Sequence, residues 1–166
     1  MVRPEALLDS WKSIRRDTVQ AWLDMPAAHA AFQPTPDLMK YRDLAVHILN
    51  AGHGIAMMLL GGETDFAAPG FRERLREHFL DVSALDAAAL AAQLDAVLAA
   101  DSVKLAAASP EFYAQMMTRF DGAAVTRLEM LQFAKEHELT HRSQMFMYLR
   151  LQGVVPPTTR RRLAAK

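Results

Sequence analysis

The sequence predicts an all-α fold, a four-helix up-and-down bundle. Three observations predict it. Four long segments carry apolar residues at helical spacing, Pro- and Gly-bearing connections separate them, and no alternating strand or internal repeat of any length occurs. A chain of 166 residues is the size of one domain. We therefore expect a single bundle domain over residues 1–157, followed by a basic C-terminal tail at 158–166.

The first helix is expected from about Pro4, a residue suited to a helix start, to Asp24. Leu7, Leu8, Trp11, Ile14, Arg15, Thr18, Val19 and Trp22 recur along it at helical spacing. Met25-Pro26 ends it, because the residue before proline is pushed out of the α region. A connector around Phe32 to Asp37 leads to a second helix from about Lys40 to Leu60. Its stripe is Leu44, His47, Ile48, Ala51, Ile55, Met58 and Leu59, and Gly61-Gly62 stops it.

Residues 63–82 read as a loop with a short helix from Gly70 to Phe79. The third helix is expected to open at Ser83, with Asp86 three positions later in a capping-box-like start. It continues through an Ala- and Leu-rich run to about Lys104, where alanine has the lowest helix cost and lets neighbouring helices approach. After Ser109-Pro110 and Phe120-Asp121-Gly122, the last helix is expected from Ala123 to Gln152, closed by Gly153 and Pro156-Pro157. Its inward side carries Leu128, Leu131, Ala134, His137, His141, Met145, Tyr148 and Leu149. Arg160-Arg161-Arg162 reads as a solvated tail.

Composition narrows the chemistry. Nineteen Lys+Arg balance nineteen Asp+Glu, which argues against a nucleic-acid partner, since such affinity depends on excess cationic charge. No stretch approaches about 18 uninterrupted apolar residues, so no membrane span is expected. The opening Met-Val-Arg-Pro-Glu does not read as a signal peptide, and the expected location is cytoplasmic. The absence of cysteine excludes disulfides, thiolate ligands and a cysteine nucleophile. Ten methionines fit an adaptable core.

What remains is histidine. His137 and His141 are four apart on the apolar side of the last helix, so they project from one face. His47 sits midway along the second helix in its apolar stripe. Three inward imidazoles from two helices are how bundles build metal sites, and neutral imidazole suits Zn, Ni, Cu and Fe. Three protein ligands leave a coordination position for water or substrate. His53 lies about 120° off the face of His47 and reads as rim or surface, and His29 and His78 as ordinary surface residues.

His137-Glu138-Leu139-Thr140-His141 matches the H-E-x-x-H pattern of zinc peptidases, in which the glutamate is the base. Such enzymes need a third ligand downstream. This chain has no Asp or Glu after Glu138 and no His after His141, so the peptidase reading is set aside. Glu138 reads as an outer support for the ligands or a surface residue, and last as a base. Gln144 and Tyr148, one and two turns beyond His141, are weak catalytic candidates for orienting a substrate, or plain polar caps on a core.

The segments Tyr41 to Ile48, His137 to Gln144 and Tyr148-Leu149-Arg150, with Gly153 and Pro156-Pro157, together resemble the DinB/YfiT-like metalloenzyme family. That family carries a second-helix His followed by Ile, an H-x-x-x-H-R-G-Q block on the fourth helix, and a YLR…G…PP ending. Ser143 stands here in place of the commoner Gly. The resemblance implies a four-helix bundle, a homodimer, and a divalent metal (Zn²⁺ or Ni²⁺) held by His47, His137 and His141. It also implies small-molecule chemistry, in some members with a low-molecular-weight thiol as co-substrate. The leading expectation is a metal-dependent transferase, isomerase or hydrolase of small molecules. The alternatives are a non-catalytic metal-binding or interaction module, and a structural bundle with hydrogen-bonded histidines.

Overall fold

Pro4 occupies the first turn of α1 (Pro4–Asp24) in the computed structural model, which describes residues 3–165. A missing N–H costs nothing there, because the first helical donors have no partner within the helix. A 3₁₀ turn at Ala27–His29 follows, then α2 (Tyr41–Leu60), the short α3 (Phe71–Arg76) and α4 (Ala87–Ala106). After α5 (Pro110–Ala114) come strands β1 (Met116–Thr118) and β2 (Ala124–Thr126), the long α6 (Arg127–Leu151) and a terminal α7 (Pro157–Ala164). The four long helices form the expected bundle.

Its wiring departs from a simple up-and-down order. α1 and α2 each pack against both α4 and α6. One apolar cluster joins Ala21 and Trp22 of α1 to Tyr41 and Leu44 of α2, Leu90 of α4 and Leu149 of α6. The other joins Leu7 and Leu8 to Leu59, Leu105 and Leu131. The starts of α1 and α6 therefore share one end with the finishes of α2 and α4. The helices run up, down, down, up. The parallel pair α2 and α4 is possible because residues 61–86 return the chain along the bundle, whereas a short turn would force antiparallel neighbours.

Other departures from expectation have local causes. Asp86 is itself the cap of α4, accepting from the Ala89 N–H at 2.8 Å, so the helix begins after it and not at Ser83. The last helix begins at Arg127, not Ala123, because Thr126 and Glu129 close a reciprocal capping box. The preceding residues form a hairpin that pairs Met116 with Thr126 and Thr118 with Ala124, where no strand was expected. The arginine-bearing tail is the helix α7 lying on α1, with Arg160 paired to Asp24 and Arg161 to Asp17 at 2.7 Å.

Between the two apolar clusters lies a polar layer centred on Glu138. Glu138 and Arg15 are each 2% exposed. Glu138 Oε1 accepts from Arg15 Nε at 2.8 Å and from the Thr18 hydroxyl at 2.9 Å. Oε2 accepts from Trp11 Nε1 at 2.6 Å and Arg15 Nη2 at 2.8 Å. Arg15 Nη1 also donates to the Leu94 carbonyl on α4, so one buried pair ties three helices together. A buried ion pair is tolerated only when its donors and lone pairs are satisfied in this way. α2 is the one helix among the described residues long and apolar enough to cross a membrane, with mean hydropathy 1.3, and two-thirds (67%) of that stretch is buried in the bundle.

Candidate metal centre

His47 is placed by the middle turns of α2, and His137 and His141 by successive turns of α6, the helix packed against it. All three are half-buried. His137 Nε2 lies 3.2 Å from His47 Nε2 and 3.0 Å from His141 Nε2. The three expected ligands are thus brought together, with a ligating atom from each within 4.8 Å of the others. Among the described residues no other His, Asp or Glu joins a cluster of this kind.

The donor chemistry fits a cation. Burial holds the His47 pKa down to about 4, helped by neighbouring His141. Burial does the same to His137, also to about 4, with His141 and His47 adding to the effect and Glu138 opposing it. Both rings are therefore neutral at neutral pH, each with one N–H and one lone pair. His141 Nδ1 lies 2.8 Å from Gln144 Oε1; with the amide oxygen accepting, Nδ1 carries the proton and Nε2 presents its lone pair inward. His137 Nε2 offers either one N–H or one lone pair, so it completes a good hydrogen bond with only one of its two neighbours. A metal ion resolves that frustration. Two nitrogens on a tetrahedral zinc stand about 3.3 Å apart, close to the spacings here.

His47 and His137 of the triad line a cavity of about 680 Å³. Its α2 wall is His47, Ala51 and Ile55, one turn apart, where the small Ala51 leaves room beside the imidazole. The opposite walls come from residues 66–75, Phe120 in the hairpin turn, and Phe133 one turn before His137. Phe66 N–H donates to the Thr118 carbonyl and Thr118 N–H to the Thr64 carbonyl, both at 2.8 Å, which stitches the long connection to the hairpin. Arg74 fixes the same segment by donating to the carbonyls of Pro69 and Asp65 and pairing with Glu63 at 3.1 Å.

The remaining candidates are placed elsewhere. Gln144 touches the site through His141. Tyr148 does not reach it: its hydroxyl donates to the Met39 carbonyl at 3.0 Å, and its ring meets Phe32 edge-on. Glu138 faces α1 from the other side of α6, with both oxygens occupied, so it is neither a surface residue nor a base. His53, expected at the rim or surface, is 15% exposed and bonded to the buried Asp101 at 2.7 Å. His29 is exposed and His78 half-buried, both outside the triad. The aromatic wall leaves no pattern in the sequence, because Phe66 and Phe120 lie in connections and Phe71 opens the six-residue α3. Phe133, four residues before His137, carried the one usable signal.

Comparison with known proteins agrees with this architecture. The chain is similar to a DinB-like protein, YjoA, from Bacillus subtilis, with 20% identity and a TM-score of 0.69 over 89% of this chain and 92% of that one. It is also similar to YfiT from Bacillus subtilis, described as a probable metal-dependent hydrolase with an unusual four-helix bundle topology. There the identity is 15% and the TM-score 0.69, over 91% of this chain and 88% of that one. A third likeness is to the mycothiol-dependent maleylpyruvate isomerase, at 15% identity and a TM-score of 0.63, over 87% of this chain and 61% of that larger one. No curated protein matches. The DinB family model matches residues 1–165, so the bundle and its histidine triad are those of a chain that belongs to the DinB family.

Proposed function

We propose that this chain is a metal-dependent enzyme that activates a nucleophile, water or a small thiol, for attack on a small molecule bound in the cavity beside the triad. The observation that carries the reading is the convergence of three imidazoles, two of which, His47 and His137, line an open cavity. A metal-bracing role would need no such opening. His47, His137 and His141 would hold the divalent ion, zinc or nickel. That ion, when bound, supplies Lewis acidity and lowers the pKa of a bound water or thiol toward neutrality.

The protein's own part is positional. Gln144 fixes the tautomer and orientation of His141, and the Glu138–Arg15 pair fixes α6 against α1, so that the turn bearing His137 keeps its register with α2. Aromatic and aliphatic walls exclude water from one side of the cavity. The likeness to YfiT supports hydrolysis and the likeness to the mycothiol-dependent isomerase supports thiol use. A cysteine-free chain would take any thiol from outside. The expected homodimer belongs to the same proposal; Met147 and Leu151, exposed on α6, offer apolar surface for it.

The test is turnover by metal-loaded, tag-free protein on a panel of small esters, amides and electrophiles, with and without added low-molecular-weight thiols. Activity that depends on metal and vanishes in His47→Ala and His141→Ala is the expected result, and its dependence on thiol separates transferase from hydrolase. Full metal loading with no turnover on any member of the panel would instead mark a metal-binding module.

A further inference from the structure

Four phenylalanines from four different segments form a continuous run of ring contacts that ends at the triad. Phe66 and Phe71 stand 5.1 Å apart between centroids, Phe71 and Phe120 6.1 Å, Phe120 and Phe133 5.1 Å, and Phe133 and His137 6.4 Å. The run is no ordinary core cluster. Phe66 is buried, but Phe120 at the cavity mouth is 43% exposed, so the aromatic surface continues from the interior to solvent along the cavity wall. An exposed aromatic edge beside a concave site is surface that a ligand can cover.

Residues of both signs stand at the rim. Arg72 and Glu73 both line the cavity, with Glu73 3.8 Å from Arg76. Arg119, whose guanidinium lies 5.7 Å from the centre of the Phe133 ring, is held in a two-point pair with Asp121 at 2.6 and 2.9 Å.

We infer that the substrate is a molecule with a flat aromatic body, which stacks on the Phe71–Phe120–Phe133 wall and places its reacting polar group at the triad. The inference rests on the proposed metal site. It adds the class of substrate that the site takes. The wall is preformed, because Arg74 and the hairpin hold the connection that carries it, so a flat ligand stacks without reorganising the protein. A cavity of about 680 Å³ admits a substituted single or fused ring.

The experiment compares two metal-chelating probes, acetohydroxamate and benzohydroxamate, by calorimetric titration into zinc-loaded protein whose metal content is measured beforehand. The aromatic probe is expected to bind about tenfold or more tightly, beyond the difference in the two hydroxamates' affinity for free zinc. Phe133→Ala and Phe120→Ala should each shrink that gap severalfold and leave acetohydroxamate affinity unchanged. Phe120→Ala removes an exposed ring, so it keeps the comparison informative if Phe133→Ala does not fold. Retained zinc with equal affinities for both probes would overturn the substrate class and leave the metal centre standing. Failure to hold zinc would overturn both.

Discussion

At the residue scale, the triad depends on side chains that do not themselves ligate. Gln144 orients His141 through the 2.8 Å contact to Nδ1. Removing an outer partner of a metal-ligating histidine costs about 10–100-fold in metal affinity. Gln144→Leu should therefore weaken zinc binding by about that factor in a competitive chelator titration, with an unchanged melting temperature in the metal-free form. Glu138 acts on stability instead. Glu138→Gln leaves the Arg15 guanidinium buried without its counter-charge, and breaking such a pair costs about 3–5 kcal/mol. Urea unfolding of the metal-free variant should show a loss of that size. A loss under about 1 kcal/mol would mean that the pair is strongly compensated by the hydrogen bonds Trp11 and Thr18 keep.

At the scale of elements, the cavity wall is built by docking α3 onto α2. Gly54 allows that approach: a Cβ there would stand 2.6 Å from Leu75 Cδ1 and 3.3 Å from the Leu75 carbonyl oxygen. Gly54→Val should push α3 away from α2. Amide exchange over residues 70–79 is then expected to quicken while α2 and α6 keep their protection, and unchanged exchange there would contradict the docking. The long helices were legible in the sequence because their apolar residues recur over four or more turns. Arg15 and Thr18 lie on the first helix's stripe, and their buried partner Glu138 is found only in the structure. His47, His137 and His141 were legible for the same reason of spacing. The hairpin was not, since strands of three residues are too short to show alternation. Nor was the aromatic wall, whose rings meet through the path of the 61–86 connection and not through any local pattern.

For the whole molecule, the neutral, half-buried histidines link folding to pH. His47 and His137 have folded-state pKa values near 4 against an ordinary 6.5. Between those values the unfolded chain binds more protons than the folded one, so stability falls as pH falls through the window and levels off above it. Metal-free protein should melt at progressively lower temperature from about pH 6.5 to about pH 4.5, and His47→Phe should flatten part of that slope. An unchanged slope would mean that His47 is accessible enough to be protonated in the folded state. The up-down-down-up wiring has its own consequence at this scale. The connection needed to make α2 and α4 parallel is the segment that carries Phe66 and α3 to the mouth of the site, so the departure from a simple bundle is also what builds the cavity.

The central claim is that the three imidazoles form one divalent-metal site. Elemental analysis of tag-free protein after dialysis against limiting zinc or nickel tests it most directly, alongside His47→Ala, His137→Ala and His141→Ala. One ion per parent chain, lost or sharply weakened in each variant while all remain helical by circular dichroism, is the expected result. A folded parent that retains no ion, or variants that retain it as well as the parent does, would contradict it.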